Sequence, residues 1–227
     1  MSMRIINLQK KFKEFCIDIQ DWTFEDGLIH GLIGPNGSGK STLGKLLAGL
    51  TAADIKKVDF GGLTDREITI SPQNPYMMHD NVYKNLVYPL KLRNITPEKE
   101  TTDYWLELCG LRAYEKVSAR SLSLGQRHKL SVARALIFEP EFVIIDESLS
   151  SLDIDYAEAF GQEILRIQKK TPKTWIIISH QPAHILKLCD RIHFIDKGRL
   201  LKSGTPEELL EQTEIPELIR FLRYEAI

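Results

Sequence analysis

The stretch LIHGLIGPNGSGKSTLGKLLAGL, residues 28–50, decides how the chain folds. It opens with the apolar run Leu28 to Ile33, short enough and continuous enough for a buried strand. A turn rich in Gly, Pro and Asn stops that run. From Ser41 to Leu50 apolar residues then recur at helical spacing, so the order is strand, turn, helix. Residues 34–41 within it, Gly-Pro-Asn-Gly-Ser-Gly-Lys-Ser, match G-x-x-x-x-G-K-[ST] in the setting that pattern requires. Glycines let consecutive backbone N–H groups converge on phosphate oxygens, and the helix start adds the positive end of its dipole. Lys40 is therefore expected to reach the β- and γ-phosphates of a nucleotide, and Ser41 to ligate Mg²⁺. Gly34, Pro35, Asn36, Gly37, Ser38, Gly39 and Thr42 complete the candidate phosphate cradle.

A second stretch supplies acids. Phe142-Val-Ile-Ile is a buried-strand run that ends in Asp146 and Glu147. A carboxylate at the C-terminal end of such a strand lies beside the phosphate loop, where Asp146 can hold Mg²⁺ through a water. Glu147, next along, is placed to orient and polarise an attacking water.

Outward from these two stretches, rough alternation marks early half-buried strands at Arg4 to Leu8 and Phe15 to Ile19. Glu67 to Ile70, Trp175 to Ile178 and Arg191 to Ile195 read as further strands. Between Asp80 and Glu139 the texture is helical, with one amphipathic segment over Asn81 to Leu92 broken at Pro89. Thr96-Pro97-Glu98 marks the start of another helix, which ends near Cys109-Gly110. Tyr156 to Lys170 and the tail from Pro206 to Tyr224 are also helical. Buried strands alternating with helices predict an α/β fold with a mostly parallel sheet covered on both faces, and a helical lobe inserted at about residues 74–125. The whole, residues 1–227, is expected to be a single domain.

Composition narrows the function. Thirty basic residues balance 31 acidic ones for a net charge of −1, which supplies no electrostatic basis for binding nucleic acid. No apolar run is long enough to span a bilayer, and no secretory signal is evident. Cys16, Cys109 and Cys189 are far apart and form no metal or disulfide pattern, so a reducing cytosol is expected.

The phosphate loop by itself does not separate kinases, GTPases and transport ATPases. Further motifs do. Gln73 in SPQNPY resembles the glutamine of the Q-loop in ABC ATPases, and Leu122-Ser-Leu-Gly-Gln126 resembles their LSGGQ signature. Ser150-Ser-Leu-Asp153 resembles the D-loop, and His180, after Trp175-Ile-Ile-Ile-Ser, resembles the switch histidine. The resemblance runs from about residue 3 to about residue 210. It implies a P-loop NTPase core, a small antiparallel subdomain beside the adenine, and the inserted helical lobe. It also implies ATP and Mg²⁺ as ligands. Gln73 would touch Mg²⁺ and the attacking water, His180 the γ-phosphate, and Phe12, or else Phe15, the adenine ring.

The resemblance further implies pairing with a second ABC ATPase subunit, a copy or a relative. Ser123, Gly125 and Gln126 of one subunit, with Asp153, would then complete the ATP site of the other. Asn81 to Leu92 is similar to the lobe of importer-type subunits, where an integral membrane subunit docks near Gln73. The implied role is to power a transporter from the cytoplasmic face of the membrane, with cargo chosen by other subunits. The alternatives are a non-transport ABC ATPase and a weakly hydrolysing regulatory partner in a heterodimer.

Three departures stand out. Leu124 replaces a glycine of the signature, which would strain the loop if that position needs a positive φ. Ser148-Leu149 replaces a common Pro-Thr, with little chemical consequence expected. The stretch from Lys40 to Gln73 is short for the family, so the antiparallel subdomain is expected to be trimmed.

Overall fold

A computed structural model describes residues 2–148, 153–179, 182–211 and 214–225. In chain order the elements are β1 (Met3–Lys11), β2 (Cys16–Phe24), β3 (Ile29–Ile33), α1 (Lys40–Leu47), β4 (Ile55–Asp59) and β5 (Ile68–Ser71). Helices α2 (Val82–Leu92), α3 (Lys99–Leu108) and α4 (Leu124–Leu136) follow, with two short 3₁₀ turns between α3 and α4. The remainder alternates: β6 (Phe142–Asp146), α5 (Ile154–Lys170), β7 (Thr174–Ile178), α6 (Pro182–Leu188), β8 (Arg191–Asp196) and β9 (Arg199–Gly204). Helices α7 (Pro206–Glu211) and α8 (Pro216–Glu225) close the chain.

Among the described residues the strands form two sheets. One is antiparallel, in the order β2-β1-β4; the other runs β5-β6-β7-β3-β8-β9 and is parallel except for β9. Strands β3, β6 and β7 are buried at every position, as strands covered on both faces must be. Their period-2 alternation divides the interior. Val143, Ile145, Trp175 and Ile177 face one core, built with α2 to α5; Phe142, Ile144, Ile176 and Ile178 face the other, built with α1 and the antiparallel sheet. Leu86 and Trp105 of the helical segment share a single cluster with the strand residues Val143 and Ile145. The lobe and the sheet therefore bury apolar surface against each other.

Several elements differ from expectation. Helix α2 runs through Pro89 instead of breaking there. Proline removes one N–H and hence one rung of the helix, but Leu86, Val87 and Leu90 on either side are buried and hold the segment. Arg93 adds a clasp, donating through Nη1 to the Pro89 carbonyl and through Nε to the Arg66 carbonyl. Helix α3 starts after Glu98 rather than at Thr96. Strands β4 and β9 and helix α6 were not anticipated, because β4 and β9 are largely polar and exposed and α6 is short. Among the described residues β4 is the one strand between α1 and β5, and it pairs with β1 in the antiparallel sheet. No described helix is long and apolar enough to cross a membrane.

Candidate active site at the ends of three parallel strands

The phosphate loop joins β3 to α1 and takes its shape from glycine. Gly34 has φ 149°, Gly37 78° and Gly39 105°, a set of conformations that L side chains rarely adopt. A Cβ at Gly34 would overlap the Ile195 carbonyl of β8, and one at Gly39 would strike Ile17 and Phe15. Gly39 begins α1 without any side-chain cap. The helix thus presents its first amides and its positive end to the loop rather than to a protein side chain. Lys40 reaches back over the loop, its Nζ donating to the carbonyls of Gly34 at 2.7 Å and Pro35 at 3.0 Å. The Ser38 Oγ is buried in the loop without a hydrogen-bond partner among the described residues. Such an orphan, beside uncapped amides and an ammonium, fits a bound phosphate.

Strand β6 delivers Asp146 to the same place. The Ser41 hydroxyl donates to Asp146 Oδ1 at 2.7 Å, whereas Oδ2 is buried without a partner among the described residues. Burial pushes the Asp146 carboxyl above the usual carboxylate range, and the Ser41 hydrogen bond pulls it partly back. A buried carboxylate with one orphan oxygen, next to a hydroxyl, is an oxygen-only donor set of the kind Mg²⁺ takes. Among the described residues no group of three His, Cys, Asp or Glu side chains could hold a metal unaided. Phosphate and water would have to complete the sphere, as is usual for Mg²⁺.

Glu147 follows in the left-handed region, φ 51°, with its N–H donating to the Ile178 carbonyl of β7 at 3.0 Å. A non-glycine residue there is strained and re-aims its side chain out of the sheet. Its Oε2 accepts from Gln73 Nε2 at 2.5 Å, which joins the segment after β5 to the end of β6. Lys40, Ser41, Gln73, Asp146 and Glu147 thus meet at the C-terminal ends of the parallel strands, the position where open α/β sheets bind ligands.

The adenine-stacking candidates separate. Phe15 packs on Gly39 and the second core, whereas Phe12 stands 46% exposed with its ring 6.1 Å from that of Phe15. The signature residues lie at the start of α4. Ser123 and Gln126 form a capping box: Ser123 Oγ accepts from the Gln126 N–H, and Gln126 Oε1 accepts from the Ser123 N–H at 3.0 Å. Among the described residues the Ser123 hydroxyl accepts but does not donate a hydrogen bond. Leu124 lies in the first turn of α4 and is absent from the positive-φ positions, so the feared strain does not arise. Asp153 caps α5 through Tyr156 N–H and pairs with the buried Lys129 ammonium of α4 at 3.1 Å. His180 falls outside the described residues, as do Ser150 to Leu152 of the D-loop motif.

Two contributions escaped the sequence reading. The Lys197-Gly198 turn between β8 and β9, with φ 46° and 76°, braces the phosphate loop: Gly198 N–H donates to the Ser38 carbonyl at 2.8 Å. Two consecutive positive-φ residues between strands are the mark of a tight hairpin, and the Lys-Gly pair was its signal. The other is Ser148, whose hydroxyl is buried among polar atoms of β5 and β6.

The chain is similar to known proteins. A family model described as ABC transporter matches residues 17–150, more than half of the chain. The tungstate uptake system ATP-binding protein TupC of Peptoclostridium acidaminophilum is 33% identical over 208 residues, covering 88% of this chain and 97% of that protein.

Proposed function

The chain belongs to the ABC transporter family, and on that premise we propose that it binds and hydrolyses ATP as the energy-coupling subunit of an uptake transporter. The observation that carries this reading is a pair of hydrogen bonds beside the phosphate loop, Ser41 to Asp146 and Gln73 to Glu147, brought side by side because Asp146 and Glu147 are consecutive at the end of β6. The loop amides and Lys40 bind the phosphates, and Phe12 offers its exposed face to the base. Ser41 and Gln73, with Asp146 through water, are the residues that would hold Mg²⁺. That ion would neutralise charge on the β- and γ-phosphate oxygens. Glu147, aimed out of the sheet by its left-handed backbone, takes up the role of orienting the water and accepting its proton. His180 is assigned the γ-phosphate contact on family resemblance.

Coupling requires a second subunit. The N-terminus of α4, with Ser123, Gly125 and Gln126, closes over ATP held by the phosphate loop of the opposite subunit, with Asp153 beside it. ATP stabilises the closed pair and hydrolysis removes that stabilisation. The membrane subunit docks in a cleft of about 520 Å³ whose lining includes Tyr76, Met78, Tyr88, Leu92 and Phe138. Tyr76 at 65% and Leu92 at 57% exposure make this a surface apolar patch close to Gln73, suited to a short helix from such a subunit. On this reading the protein works peripherally, on the cytoplasmic face of the membrane, held there by that subunit.

The exposed Leu124 favours one second reading. An apolar side chain at the first turn of α4 partly screens the amides meant for phosphate, as in a slow partner of a heterodimer.

Phosphate release by the purified protein tests the assignment. Glu147→Gln is expected to abolish release, retain nucleotide binding and trap a dimer with ATP and Mg²⁺. Unchanged turnover in that variant would refute the placement of the base.

A further inference from the structure

Ser71 ends β5, Ser131 lies in the middle of α4, and Ser148 follows the strained Glu147. Their exposures are 0%, 2% and 0%, so none of the three hydroxyls can turn to solvent. They form a chain: Ser131 Oγ lies 3.0 Å from Ser71 Oγ, which lies 3.0 Å from Ser148 Oγ. Beyond Ser148 are acceptors only, the carbonyls of Ser71, Pro72 and Asp146, each at 3.3 Å. A hydroxyl has one proton to give. The arrangement that gives every one of these protons an acceptor sends the Ser148 proton to the carbonyls, the Ser71 proton to Ser148, and the Ser131 proton to Ser71. Every member donates once, in one direction, from the helix to the site.

The carbonyls at the end of that chain belong to two segments. Ser71 and Pro72 lead directly into Gln73, and Asp146 leads directly into Glu147. The serine chain thus ties together the two backbones that carry the Gln73–Glu147 pair. It ties both to α4, the helix that begins with Ser123 eight residues, roughly 12 Å, before Ser131.

We infer that Ser148, Ser71 and Ser131 are positioning residues that hold Glu147 and Gln73 in register and couple them to the helix that bears the signature. The inference rests on the hydrolytic reading of Glu147 given above. Ser148 itself touches no substrate. It acts by fixing the conformation on either side of Glu147, where a misplacement of about 1 Å can cost up to a hundredfold in rate.

The test compares Ser148→Ala, Ser131→Ala and the double variant with the wild type. It measures ATP turnover, KM, the affinity for a fluorescent ATP analogue and the thermal midpoint. Ser148→Ala is expected to lower kcat about tenfold, with KM and analogue affinity within roughly twofold of wild type. Ser131→Ala should lower kcat less, and the double variant should be no slower than Ser148→Ala, because the chain acts as one unit. Wild-type kcat in both single variants would overturn the inference. So would a loss of kcat matched by equal losses of affinity and thermal midpoint, the signature of a purely structural role. If Ser148→Ala fails to fold, Ser131→Ala decides by the same criteria. Glu147→Gln run in parallel separates the two readings. Its inactivity beside a fully active Ser148→Ala rejects the serine chain alone, whereas its full activity rejects the hydrolytic reading and the inference together.

Discussion

The Ser41 hydroxyl donates to one oxygen of Asp146 across 2.7 Å, and the other oxygen of that carboxylate is buried without a protein partner among the described residues. One residue comes from the first turn of α1 and the other from the end of β6, so the contact joins the phosphate loop to the acidic strand end. Asp146→Asn keeps the shape and an acceptor for Ser41 but loses the charge. Mg²⁺-dependent nucleotide affinity or turnover should fall about 10- to 100-fold, as for loss of a group acting on a metal through water. Nucleotide binding measured with and without Mg²⁺ checks it. The loss should vanish when Mg²⁺ is omitted.

The signature turn yields a second prediction. Leu124 is 56% exposed at the start of α4, with its backbone already helical. Leu124→Gly removes the side chain without relieving any backbone strain. Turnover of the protein with its own copy should rise at least about twofold, the scale of a partial screen on an oxyanion-type donor. Phosphate release as a function of protein concentration is the measurement, and no change would argue against screening by Leu124.

Stability should depend on pH through a buried histidine pair. His30 Nδ1 and His193 Nε2 meet at 2.9 Å, His30 Nε2 meets the Glu25 carbonyl, and His193 Nδ1 meets Ser203 Oγ. Since the Glu25 carbonyl can only accept, His30 donates from Nε2, and its Nδ1 must accept from His193. Both rings are then neutral and fully used. Burial lowers the pKa of His30 and holds that of His193 well below the ordinary value; Arg191 lowers both further, while Glu25 and Asp190 partly offset this at His30. The unfolded chain therefore binds more protons than the folded one below about pH 6.5. Stability present above that pH should decline as pH falls through it. Urea midpoints between pH 7.5 and 5 provide the check, and His193→Phe should flatten the profile.

Leu86 tests whether the helical lobe folds with the sheet. It is fully buried and belongs to the cluster that also holds Val143 and Ile145. Leu86→Ala should cost about 2–5 kcal/mol. The whole unfolding transition should move together in calorimetry, without a separate early step for the lobe.

Much of this was legible in the residues alone. The buried runs Leu28 to Ile33, Phe142 to Ile145 and Trp175 to Ile178 became β3, β6 and β7, because a strand covered on both faces must be continuously apolar. The phosphate loop was legible because its chemistry depends on backbone conformation, and glycine is the residue that permits it. Pro89 misled because proline costs a helix only one rung, and packing on both sides outweighs a local preference.

What local pattern determined, then, is the set of elements and the chemistry each one carries, since periodicity, glycine and adjacent acids act over a few residues. Tertiary structure alone decided which distant groups share a hydrogen bond: Gln73 with Glu147, Ser71 with Ser131 and Ser148, His30 with His193. It also decided that the Ser148 hydroxyl is buried among the carbonyls of Ser71, Pro72 and Asp146, and that Phe12 rather than Phe15 is the exposed ring. The physical reason is the same each time. A buried polar group must find a partner, and which partner is in reach depends on how strands and helices from remote parts of the chain are stacked.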